Sequence, residues 1–149
     1  MSIDNYMKKQ IVLLPVLLIV LFAVARCAPP KGDGIRFYDK SWQEVLNKAR
    51  AEHKPIFLDI YASWCGPCKM LKRETFPDKD AGEYFNAHFV NTSFDGEVGD
   101  GIMLASKFNI EGYPALFVLD ENGKVIKTSM GFLNADELIQ FGKHALKNK

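Results

Sequence analysis

Cysteine is scarce in this 149-residue chain, three in all, and histidine is equally scarce. His53, His88 and His144 stand apart from one another, and the single Cys-x-x-Cys has no second pair. The usual four-ligand set of a structural zinc site is therefore missing, and no metal is expected. Charge of one sign is also in short supply: 19 Lys and Arg are interspersed among 18 Asp and Glu. Without a basic stripe interleaved with aromatics, the electrostatic footprint of a nucleic-acid binder is absent. The acids of residues 95–100 lie among glycines, but they lack the ligand spacing and terminal Glu of a calcium loop. No internal repeat occurs. The longest apolar run, Ile11 to Ala25, is interrupted by Pro15 and falls short of the roughly 20 residues that a bilayer-spanning helix prefers.

That run has a meaning of its own. Lys8 and Lys9 precede it and Ala23-Val24-Ala25 closes it with small residues, which is the layout of a signal peptide cut after Ala25. An uncleaved, tilted membrane anchor is an alternative for residues 1–26. Lipidation of Cys27 is a third, although Arg26 stands where a lipoprotein signal needs a small residue. Each option puts the rest of the chain outside the cytoplasm, exported and in a bacterium periplasmic, where disulfides persist. Removing residues 1–26 takes away Lys8, Lys9, Arg26 and Asp4, leaving 16 basic against 17 acidic side chains. A nearly neutral domain points to protein partners. Residues 27–34, rich in Pro and Gly, read as a flexible linker, and 35–149 as one globular domain.

Within that domain the hydrophobic periods alternate. A short strand is expected at Ile35–Tyr38. Ser41 with Glu44 three residues on forms a capping box for a helix that buries Trp42, Val45, Leu46 and Ala49. Ile56 to Tyr61 is a nearly continuous apolar run, as in a strand covered on both faces, with Asp59 inside it. It leads into Trp64-Cys65-Gly66-Pro67-Cys68, after which helix is predicted to about Thr75, then a second piece bearing Ala81, Tyr84, Phe85 and His88, with His88 at the core edge. A strand follows at Phe89–Phe94. Asp100 should cap a helix that turns Ile102, Ala105 and Phe108 inward. Strands at Ala115–Leu119 and Lys124–Met130 flank an Asn-Gly turn signal, and Asn134 with Glu137 caps a last helix. The order mixes parallel crossovers with one antiparallel hairpin.

The stretch Asp59-Ile60-Tyr61-Ala62-Ser63-Trp64-Cys65-Gly66-Pro67-Cys68-Lys69 resembles the active-site signature of the thioredoxin family, and Gly112-Tyr113-Pro114 resembles its second landmark. Gly131 before the last helix fits as well. Lys54 to Asp59 and Glu74-Thr75-Phe76 resemble the extracytoplasmic branch that includes the periplasmic thiol-donating domain of a membrane electron transporter. The resemblance spans nearly all of Ile35 to Lys149. It implies an α/β thioredoxin fold with a central mixed β-sheet flanked by helices on both faces.

It also implies chemistry. Two cysteines at i and i+3 in a first helical turn share a face and can close a disulfide. Cys65, at the helix start, is expected to be the acidic, attacking thiol, with Pro67 shaping the turn. Cys68, lying deeper, would resolve the mixed disulfide, with Asp59 taking its proton at a burial-raised pKa. Trp64, Gly66, Pro67 and Lys69 would support the site, Trp64 as a partly exposed docking surface. Gly112, Tyr113 and a cis Pro114 would receive an extended substrate strand. The implied activity is thiol-disulfide oxidoreductase, in the reducing direction, because Gly66-Pro67 matches reducing relatives. No cofactor is implied beyond the redox-active Cys65–Cys68 pair. The implied partners are disulfide-containing proteins and a membrane thiol donor that re-reduces the site, acting on a monomer or on a chain tethered by its N-terminus. An isomerase or oxidase of the same fold is the alternative, and a non-catalytic binding module is the reading from another class.

Overall fold

The computed structural model describes residues 34–147. The expected signal or anchor segment, Cys27 and residues 27–33 of the linker lie outside the described residues. Among the described residues, five α-helices and four strands follow one another: α1 (Trp42–Glu52), β1 (Ile56–Tyr61), α2 (Gly66–Met70), α3 (Lys79–His88), β2 (Val90–Asp95), α4 (Asp100–Lys107), β3 (Ala115–Leu119), β4 (Val125–Met130) and α5 (Ala135–Lys147). The strands form one sheet in the order β2-β1-β3-β4. β1 runs parallel to β2 and antiparallel to β3, which in turn pairs antiparallel with β4.

Alternation along the central strands sorts their side chains onto two faces. Phe57 of β1 and Leu116 and Val118 of β3 pack with Leu71, Phe85 of α3, and Leu138 and Phe141 of α5. Ile56, Leu58 and Ile60 with Ala115, Phe117 and Leu119 pack instead against Trp42, Val45 and Leu46 of α1 and Leu104 of α4. Helices therefore cover both faces of a mixed sheet. β1 and β3 are buried throughout except at Tyr61, which is why their sequences lack the polar alternation of a half-exposed strand. Each large apolar side chain closed off in this way contributes roughly 1.5–3 kcal/mol.

The expected caps of α1 and α5 are present. Ser41 accepts from the Glu44 N–H while Glu44 accepts from the Ser41 N–H, and Asn134 and Glu137 exchange the same pair of bonds. Other expectations need correction. Ile35–Tyr38 is not a strand. Ile35 N–H donates to the Phe76 carbonyl and Tyr38 N–H to the Asn91 carbonyl, while Asn86 and Asn91 side chains satisfy Gly34 and Arg36. The segment thus binds a helix end and side chains rather than one continuous ladder. Gly99, not Asp100, occupies the cap position of α4. The Asp100 carboxylate instead crosses to accept the Trp42 N–H at 2.7 Å, tying α4 to the start of α1. Ile102 is 56% exposed and Leu104 takes the inward position. Beyond Met70 the helix continues to Thr75 as a wider π turn, Leu71–Thr75. The Asn-Gly turn is also longer than a two-residue hairpin: residues 120–124 link the strands, Gly123 has φ +83°, and Asp120 Oδ1 accepts from Asn122 and Lys124 N–H.

Candidate active site

β1 delivers the chain at Tyr61 into the turn that starts α2. Cys65 caps that helix with extended backbone angles, its Sγ accepting the Cys68 N–H at 3.1 Å, and Pro67 lies in the first turn where its missing N–H is not needed. Cys65 and Cys68 are joined in a disulfide with their Cα atoms 5.3 Å apart. The two cysteine residues are buried almost equally, 3% and 2% exposed, so residue burial in this oxidised form does not mark Cys68 as the deeper of the two, contrary to expectation. What separates them is position: Cys65 at the cap, Cys68 one turn in. Ala62, Tyr61 and Tyr113 pack around the pair. Gly66 and Pro67 between them are exposed.

Trp64 is 66% exposed and leans edge-on against Tyr113, with ring centroids 6.0 Å apart. Its indole N–H donates to Glu97 Oε1 at 3.0 Å. Tyr113 in turn lies on Gly96, where any Cβ would collide with the phenol. Burial, helped by Glu97 and Asp95, raises the Tyr113 pKa. The Tyr113–Pro114 peptide bond is cis, and Gly112 beside it faces the Met130 side chain.

Asp59 is 1% exposed. Desolvation pushes its pKa up to about 6, against the opposing effects of a Ser93 hydrogen bond and the Lys72 charge. Ser93, its register partner on β2, donates to Oδ2 at 2.8 Å. Oδ1 is buried with no partner among the described residues. The hydrogen bond of this carboxyl is thus to Ser93 and not to either sulfur. Lys69 is exposed, and its backbone N–H, rather than its ammonium, meets the site by donating to the Cys65 carbonyl. The lysine that matters here is Lys72, whose ammonium sits 3.1 Å from the centroid of the Tyr61 ring.

Sequence reasoning missed Lys72, Ser93 and Glu97. Lys72 had a usable signal, since it follows Cys68 by four residues on the same helical run. Ser93 and Glu97 had none, because only strand register and loop folding bring them to Asp59 and Trp64. Among the described residues, no group of three His, Cys, Asp or Glu is arranged to hold a metal ion.

Comparison with known proteins gives these features a family. Residues 42–146 match the family described as thioredoxin-like domain. A relative named thiol:disulfide interchange protein DsbD from Yersinia pestis is 33% identical over 101 residues, which cover 66% of this chain and 17% of the relative. The protein of that name from Campylobacter jejuni is 31% identical over 104 residues, 69% of this chain and 18% of the relative. The chain therefore spans about a sixth of the length of these curated relatives. Among solved structures, a disulphide-isomerase candidate from Bacteroides thetaiotaomicron superposes with a TM-score of 0.70 at 37% identity, covering 79% of this chain and 98% of its own. The oxidised DsbD C-terminal domain of Neisseria meningitidis shares the fold, with a TM-score of 0.60 at 23% identity, covering 77% of this chain and 99% of its own. The chain belongs to the thioredoxin-like family, and its Cys65–Cys68 disulfide stands at the head of α2.

Proposed function

We propose that this protein is an exported, periplasmic reductase of protein disulfides that cycles Cys65 and Cys68 between dithiol and disulfide, with no cofactor beyond that pair. The observation that carries this is the Cys65 sulfur at the cap of the helical run Gly66–Thr75, already accepting the Cys68 N–H. A thiolate there meets unpaired helix N–H groups and the positive end of the dipole, so ionised sulfur is favoured in the reduced form.

Cys65 thiolate attacks one sulfur of a substrate disulfide, forming a mixed disulfide and releasing the first substrate thiolate. Cys68 then gives its proton to Asp59 and attacks Cys65 Sγ, which expels the second substrate thiolate and closes the Cys65–Cys68 bond. Two electrons have passed from the pair to the substrate. A carboxyl that titrates near 6 is suited to accept a proton and shed it again near neutrality, which supports this role for Asp59. Exposed Trp64, with Tyr113 and Gly112 beside the cis Pro114, supports docking of an extended substrate segment, the Tyr113 side chain choosing among partners. A membrane thiol donor returns the oxidised site to the dithiol. The N-terminal charge and hydropathy pattern supports export, followed by cleavage or retention as a tether. The chain acts as a monomer.

Cys68→Ser tests the scheme. The variant should accumulate covalent adducts through Cys65 with periplasmic proteins, sensitive to reductant, while the unmodified chain accelerates insulin reduction. Absence of both adducts and acceleration would remove the catalytic account in favour of a binding module. Isomerase activity is a second reading, favoured by the Bacteroides neighbour at 37% identity. Recovery of activity from scrambled ribonuclease, exceeding insulin reduction at equal concentration, would select it.

A further inference from the structure

Ser93 has two faces. Its hydroxyl donates to buried Asp59, and it also lines a cavity of about 500 Å3 bounded by Phe37, Asp39, Tyr61, Lys72 and Phe76. It is thus a polar group that touches both the buried carboxyl and a solvent-sized space. Lys72 stands on the wall of the same cavity, held over the Tyr61 ring and outside ion-pair distance of Asp59. Among the described residues, Asp59 meets no second cation. β3 presents Leu116 opposite it, Leu71 and Leu138 pack on that face, and the remaining charged group of the cavity is Asp39.

We propose that Ser93 relays the proton of Asp59 into this cavity, and that Lys72 is a positioning residue whose charge holds Asp59 ready to release it. The inference rests on the role of Asp59 as proton acceptor for Cys68. When the mixed disulfide resolves, the Cys68 S–H proton moves to Asp59. The Ser93 O–H first turns from Asp59 to the cavity, the Asp59 O–H then donates to Ser93 Oγ as the outward Ser93 proton passes to solvent there, and the proton received from Asp59 remakes the starting Ser93-to-Asp59 hydrogen bond. One proton enters and one leaves. A lone ammonium above a ring can stabilise the resulting carboxylate through space without capturing it in a salt bridge, which would make Asp59 too weak a base. The bland alternatives are an ordinary surface lysine lying on a tyrosine and a serine that merely satisfies a buried acid.

The full chain separates these. The Asp59 carboxyl carbon is titrated by NMR in the disulfide form, and breakdown of the mixed disulfide is followed against pH in single and multiple turnover. Lys72→Met should raise the Asp59 midpoint by about half a pH unit, about threefold in proton affinity, and move the breakdown profile equally, whereas Lys72→Arg should retain both. An unmoved midpoint in Lys72→Met overturns the role of Lys72. At pH 8, Ser93→Ala should slow multiple turnover while sparing the first breakdown, which starts from Asp59 already ionised. Equal effects on the two overturn the relay. Asp59→Asn is the separate control. If it leaves breakdown unchanged, the proton-acceptor role fails and the relay with it, while the Lys72 titration still reports whether the two charges are coupled.

Discussion

Burial of Asp59 makes the stability of the fold depend on pH. Its carboxyl titrates near 6 in the folded chain against 3.8 as the ordinary value. Between those values the unfolded chain has lost a proton that the folded chain keeps, so stability falls as pH rises from about 4 to 6 and stays lower above. The difference corresponds to about 3 kcal/mol at neutral pH. Asp59→Asn should therefore raise stability at pH 8 by about 2–3 kcal/mol and change it little below pH 4, because Asn still accepts the Ser93 hydrogen bond. The same substitution should slow breakdown of the mixed disulfide at neutral pH. Urea denaturation of the disulfide form at the two pH values checks the first effect, and equal gains at both would contradict it. At this scale the sequence was informative where chemistry is local. Cys65, Cys68 and Pro67 fall in one helical turn, and Asp59 is an acid inside an apolar strand. Ser93 and Glu97 were not legible, since each is about 33 residues away from its partner along the chain.

Elements were readable where their ends are closed by their own side chains. Ser41 with Glu44 and Asn134 with Glu137 satisfy the first N–H groups within one turn, so pattern and structure agree. α4 is the contrasting case. Asp100 has the right residue type for a cap, but its carboxylate is taken by the Trp42 N–H of another helix, and the frame of the helix shifts so that Leu104 rather than Ile102 is buried. Gly101 explains why this helix sits where it does: a Cβ there would strike the Asp95 carbonyl at the end of β2. Gly101→Ala should push α4 off β2, displace the loop that brings Glu97 to Trp64, and cost on the order of 1–3 kcal/mol as overpacking. Thermal unfolding together with the Trp64 fluorescence spectrum measures both consequences. Unchanged unfolding and emission would show that the contact relaxes without moving the loop. The π turn at Leu71–Thr75 was likewise hidden, because an α-helix and a π turn share the same apolar residues over so short a span.

Across the described domain, the sheet separates two cores, and the Cys65–Cys68 centre lies where β1 leaves the sheet to start α2. Tyr113, which comes just before β3, reaches that centre only because β3 pairs antiparallel with β1 through Ala115 and Ile60. With Trp64 it forms the aromatic border of the disulfide. Tyr113→Ala should therefore change turnover unevenly across a panel of disulfide substrates, and a uniform change would argue against a selective surface. The amino-acid sequence alone determined the disulfide pair, the helix that begins at it, the strand that carries Asp59 and the α/β order, because each depends on contacts within a few residues or on a hydrophobic period. Tertiary structure decided that Ile35–Tyr38 would bind a helix end instead of pairing as a strand, that Lys72 rather than Lys69 would lie near the buried acid, and that Ser93 and Glu97 would join the site. Those outcomes depend on strand register and helix placement, and free energies of packing between distant segments leave no trace in local spacing.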